Sequence, residues 1–247
     1  MLKRERPSPT ESPLLFEIDP QPLEEVLTGL GGIPLVLQTF RSLGLPESVR
    51  RQVRIKERQR GLDEASLVES FVILNAAGGE CLEDFNRLRE DGGLAQLAGH
   101  EMPSPETAGK FLYAFHDPER ITAAQQALKL NGTAYIPGEN EALQGLAAAN
   151  RDLVQAVGKR CADQKIATVD QDSTIIESHK REAQPTYEGG RGYQPMLAVW
   201  AEMDLVLADQ GWQRTGDDGS VGSGPSGVWR AAGNGQRVFL SRGFGVS

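Results

Sequence analysis

The segment 168–177, Thr-Val-Asp-Gln-Asp-Ser-Thr-Ile-Ile-Glu, holds the residues best spaced to do chemistry. Its β-branched, apolar setting predicts a short strand. Side chains two apart on a strand point the same way, so Asp170 and Asp172 share one face. Like charges placed so are costly unless something positive sits beside them. A divalent cation is the usual remedy, since Mg²⁺ binds through one or two carboxylates together with substrate phosphates. The pair therefore raises metal-dependent phosphoryl transfer as the candidate chemistry. A strand-end Asp can also simply hydrogen-bond the turn that follows it.

A second group is basic. Arg50, Arg51, Arg54, Lys56, Arg58 and Arg60 fall within eleven residues, broken by one acid, Glu57. Two readings fit: a solvated helix face, or a helix that contacts phosphates. The overall charge of −8 argues against a wholly basic nucleic-acid binder, so any such contact must be local. Three scattered histidines, His100, His116 and His179, make no zinc pattern. Cys81 and Cys161 lie far apart in helical-looking context and are expected as free thiols of a cytoplasmic protein. No apolar run approaches the roughly 20 residues of a membrane span, so no membrane partner is expected.

The elements that must position these groups change character along the chain. Residues 1–20 are rich in Pro and charge and are expected as a flexible arm. A helical region then runs to about residue 160. Leu23, Val26, Leu27 and Leu30 repeat at helical spacing before Gly31-Gly32, and Pro34 suits the first turn of the next helix. Asp63 is a natural N-cap for a helix over 64–77 that ends at Gly78-Gly79. Ser104, followed by Pro105 and Glu106, caps another, which with the Leu94 and Leu97 helix resembles a helix-turn-helix. Near Lys165 the period becomes that of strands: 166–176, 193–201 and 205–208, an antiparallel meander with Pro195 near a strand start. Residues 211–247 hold 10 of the 28 glycines and no Lys, Glu, Ile or Met, and by composition are expected to be irregular.

Taken together these residues resemble bacterial insertion-sequence transposases of the DDE type. The likeness is carried by Asp172-Ser173-Thr174, by Tyr187-Glu-Gly-Gly-Arg-Gly-Tyr-Gln-Pro195, and by segments 55–61, 75–80 and 103–107. It runs from about residue 16 to residue 209. The resemblance implies an α+β fold: a helical DNA-binding region over 21–160, then, over 161–210, the first strands of a ribonuclease-H-like mixed sheet. It implies binding to the terminal inverted repeats of a mobile element, assembly as a homodimer, and Mg²⁺-dependent cleavage and strand transfer by two metals held by Asp, Asp and Glu. Asp172 matches the first acid, with Asp170 the alternative, and both are expected metal ligands. Lys110 and Arg191 join the cluster at 50–60 as expected DNA contacts, although Arg191 reads equally as a solvent-exposed loop residue.

The family's second acid lies in a segment resembling Phe-Phe-Arg-Gly-Asp-Ser, which this chain does not carry in its reading frame. Yet Val238-Phe-Leu-Ser-Arg-Gly-Phe-Gly245 can be encoded by GTA TTT CTT TCG CGG GGA TTC GG, and one base later that string reads Tyr-Phe-Phe-Arg-Gly-Asp-Ser. The expectation is a transposase truncated by a frameshift near Gln210 and inactive alone. A non-catalytic DNA-binding module and an unrelated metal-dependent phosphoesterase stand as alternatives.

Overall fold

The computed structural model describes residues 26–55, 61–131, 137–161, 166–180, 183–186, 188–212 and 237–242, with the backbone alone at some positions, Asp172 among them. These residues make an α+β fold with a helical N-terminal region. Eight helices come first: α1 (Ile33–Ser42), α2 (Leu45–Gln52), α3 (Glu64–Ala76), α4 (Phe85–Arg89), α5 (Gly92–Ala98), α6 (Pro105–Tyr113), α7 (Pro118–Asn131) and α8 (Glu141–Arg160). The sheet follows: β1 (Ile166–Ser173), β2 (Ile176–Glu177), β3 (Gln184–Pro185), β4 (Arg191–Trp200), β5 (Leu205–Trp212) and β6 (Arg237–Arg242). No described helix is long and apolar enough to cross a membrane.

Local chemistry accounts for several helix ends. Asp63 accepts the Ser66 amide at 2.8 Å to start α3, and Gly78, at φ 78, turns the chain away after its end. Ser104 accepts the Thr107 amide at 3.2 Å ahead of Pro105, and Asn140 accepts that of Leu143 at 2.9 Å ahead of α8. One expected helix fails. Of the stretch around Leu23 to Leu30, the described residues 26–30 are not helical, and Val26 and Leu27 are exposed. Here a tertiary bond outweighs periodicity, because the Thr28 hydroxyl donates to Asp91 at 2.6 Å and itself accepts the Leu30 amide.

Two apolar clusters hold the helices. The larger joins Leu37 of α1, Ile73 of α3, Phe85 and Leu88 of α4, Leu94 of α5 and Ala108 of α6. Phe71 meets Phe85 edge-on at 5.4 Å and stacks near Phe111 at 5.9 Å, which fixes α6 against α3. The smaller cluster packs Val49 and Val53 against Ala65 of α3 and Ala149 of α8. From there α8 reaches the sheet, where the Asn150 amide donates to the carbonyls of Val206 and Leu207 on β5.

β4 is the hub of the sheet. It pairs antiparallel with β1 on one side and with β5 on the other, as the meander reading predicts. β1 in turn pairs with β6 in parallel. Two differences from the sequence reading stand out. Pro195 sits inside β4 rather than near its start, just where the β1 ladder ends at Ser173 opposite Met196, so one edge of the strand asks nothing of its missing N–H. The tail read as irregular contains β6. Its Val238-Phe-Leu run is β-forming locally, and a reading averaged over 37 mostly Gly-rich residues dilutes it.

Candidate functional site

β1 carries the paired acids. Asp170 lies opposite Val199 of β4 and Ser241 of β6 and is flanked by strands on both sides, whereas Asp172 lies opposite Leu197 of β4, past the end of the β6 ladder. Asp170 is exposed. At the start of the same strand Glu202 grips Thr168, accepting its hydroxyl at 2.6 Å and its amide at 3.0 Å. The Thr168 hydroxyl, then its amide, hold the Glu202 carboxyl below the usual range. Glu202 thus closes the end of the β1 ladder where the chain leaves β4 through a short turn. Thr174, next after the Asp172-Ser173 pair, gives its amide to the Pro195 carbonyl at 3.1 Å and so seals the other end.

Two carboxylates on one strand can help hold a cation but do not make a two-metal centre, which needs acids converging from several elements. Among the described residues no three His, Cys, Asp or Glu side chains gather into a metal-holding group. The described donor set does not fit a pair of Mg²⁺ ions, and no cleavage step follows from it.

The expected DNA contacts fall in three places. Arg50 and Arg51 end α2, and Arg54 follows in extended chain, so the basic run is not one helix face; Lys56, Arg58 and Arg60 lie outside the described residues. Arg50 donates to Asp63 at 2.7 Å and Arg51 to Asp152 at 2.6 Å, whereas Arg54 is exposed and has no ion partner among the described residues. On α6, Lys110 pairs with Glu106 at 2.6 Å, both well exposed, beside the exposed Leu112 and Tyr113. Arg191 opens β4 and turns its guanidinium onto the Ala183 carbonyl, with Nε at 3.0 Å, so part of its donor fork braces the loop rather than facing solvent. Tyr187 lies outside the described residues, and Tyr193 pairs with Ile176 across β2. These groups belong to separate elements: the acids on β1, Arg191 at the start of β4, Arg50 and Arg51 on α2, Arg54 just after it, and Lys110 on α6.

Sequence reasoning missed two polar clusters. In one, the buried Glu69 carboxylate takes both Nε (2.8 Å) and Nη2 (2.9 Å) of Arg41 and sits 3.0 Å from His100 Nε2. Burial pushes the Glu69 carboxyl up, but the hydrogen bonds from His100 and Arg41 outweigh it and leave it below its ordinary value. In the other, Asp152 of α8 accepts both the Ser48 hydroxyl at 2.5 Å and Arg51, and the Ser48 bond chiefly holds its carboxyl down. Each joins elements far apart in sequence, so no local motif announces it. Cys81 and Cys161 are free thiols. The chain matches no protein-family model, no curated protein and no solved structure.

Proposed function

We propose that this chain derives from a DDE transposase of a bacterial insertion sequence, that it works in the cytoplasm, that its helical region binds the DNA ends of the element, and that it does not cut DNA alone. The observation that supports this most is the setting of β1, a strand bearing Asp170 and Asp172 between antiparallel β4 and parallel β6. A mixed sheet of this kind is what the resemblance implies. β6 overlaps the segment 238–245, which can be encoded so that its alternative frame reads Tyr-Phe-Phe-Arg-Gly-Asp-Ser. Val-Phe-Leu and Tyr-Phe-Phe are both β-forming, so a strand can persist beside β1 in either frame.

In an intact site Asp170 and Asp172 would help hold the Mg²⁺ ions, which would supply Lewis-acid stabilisation of the reacting phosphate. Here they are two acids without a converging set among the described residues.

Mixing the full chain with duplexes of the terminal inverted repeats that flank its gene tests the proposal. It requires binding that weakens with salt and is lost in Arg54→Ala/Arg58→Ala, with no nicking in Mg²⁺. Absent or salt-insensitive binding contradicts the DNA-binding part, and nicking contradicts the inactivity. A non-catalytic DNA-binding module is the second reading, favoured by the exposed Arg54 and the Ser104-capped α6. The two part where the gene itself is read: only the first requires acid-bearing transposase sequence in another frame.

A further inference from the structure

Between the α1–α2 turn and the last two turns of α8 lies a cleft of about 410 Å³ whose charged lining is Arg51, Asp152, Lys159 and Arg160. Three cations face one acid, and that acid is already engaged by Ser48 and Arg51. The Arg160 Nη2 donates to the Ser42 carbonyl at 2.5 Å, which pins its guanidinium at the rim. Lys159 is exposed and has no ion partner among the described residues. The cleft thus holds an excess of positive charge, with Arg51 and Arg160 held by neighbours and Lys159 exposed. Gly44, at φ 74, starts α2 at its edge. In a chain of net charge −8, such a concentration calls for an anionic occupant.

We infer that this cleft grips a backbone phosphate of duplex DNA, with Lys159 and Arg160 as its contacts and Arg51 oriented by Asp152. The inference rests on the DNA-binding reading above and extends it to residues outside the basic run. Arg51 is shared by the cleft and by that run, so Lys159 and Arg160 continue one basic surface from α2 onto α8. A guanidinium fork suits a phosphodiester's paired oxygens, while Lys159 supplies a point charge.

The test measures binding of the full chain to two 30-base-pair duplexes, one of scrambled sequence and one from the gene's flanking repeats, across a salt series. Lys159→Ala removes one phosphate contact, so the slope of log affinity against log salt should become shallower by about 0.9 on both duplexes. Lys159→Arg should restore it, and an unchanged melting temperature should show the fold intact. Arg160→Ala is the second variant. It should flatten the slope likewise, and circular dichroism checks that loss of the Ser42 contact has not unfolded it. In a parallel arm, inorganic phosphate is titrated against the melting temperature. If wild type binds DNA but Lys159→Ala keeps its slope, the cleft is not a DNA contact, although the DNA-binding reading survives. If phosphate stabilises wild type but not Lys159→Ala while the slope stays put, the cleft takes a small free anion and the inference fails. If wild type binds neither duplex, the underlying reading fails, and the inference with it.

Discussion

His100 presents Nε2 to the Glu69 carboxylate at 3.0 Å and Nδ1 to the Glu101 carbonyl at 3.0 Å. Both neighbours only accept hydrogen bonds, so full satisfaction needs a proton on each ring nitrogen, which is the imidazolium. The bond to Glu69 raises the His100 pKa above its ordinary value, against the burial that lowers it. A raised histidine contributes stability that is complete below its unfolded value near 6.5 and is lost as pH climbs through the folded value. Glu69, held down, contributes above its unfolded value and loses it as pH falls. Thermal melts should therefore show this cluster strongest between about pH 4.5 and 6.5. His100→Gln should remove the decline on the alkaline side. A decline that persists in the variant would assign it elsewhere.

Glu69 should be costly to neutralise. Its carboxylate is buried, and losing its charge strands Arg41 and His100 beside an amide. Urea unfolding of Glu69→Gln at pH 6 should report a loss of about 3 kcal/mol, the low end for breaking a buried pair because Arg41 is partly solvated. A change below about 0.5 kcal/mol would show that the contact contributes nothing net.

Gly145 permits α8 to touch the end of α2. A Cβ added there would lie 2.3 Å from the Gln52 carbonyl oxygen and 3.2 Å from the Val53 Cα, both backbone atoms that cannot swing aside. Gly145→Ala gains about 1 kcal/mol of helix propensity yet should still destabilise by a net 1–3 kcal/mol through overpacking. Chemical denaturation settles the sign, and a stabilised variant would mean that the helices part without cost.

Asp63 both caps α3 and receives Arg50. Burial pushes its carboxyl up, but the Ser66 and Arg50 hydrogen bonds outweigh that and bring it down to about 2. A depressed carboxyl stabilises above its unfolded value and loses that contribution as pH falls toward about 2. Asp63→Ala should cost about 1–2 kcal/mol at pH 7, with the gap to wild type closing in acid. Asp63→Asn, which keeps the cap and drops the charge, should recover the part of the loss that the neutral cap supplies and lack the part that wild type loses in acid. Equal losses in both variants would assign the stabilisation to the ion pair instead.

The features that could be read in the sequence are those decided within a few residues. Asp63, Ser104 and Pro34 mark helix starts because capping and fixed φ act locally, and β1 is evident from its β-branched alternation. What escaped depends on distant partners. Thr28 is drawn out of a helical pattern by Asp91, and Arg41, Glu69 and His100 meet from three elements with no shared spacing. The basic run looked like one surface, yet Arg50 and Arg51 are engaged by Asp63 and Asp152, and the cations beside them in space come from α8. The acid pair was legible as a pair.

The nucleotide sequence downstream of codon 210 tests the central claim most directly. Read one base later, it should encode a continuation containing Phe-Phe-Arg-Gly-Asp-Ser or a close variant, followed further on by a Glu-bearing segment. A downstream sequence with no such acids in any frame would contradict descent from a DDE transposase and leave Asp170 and Asp172 without the catalytic ancestry proposed for them.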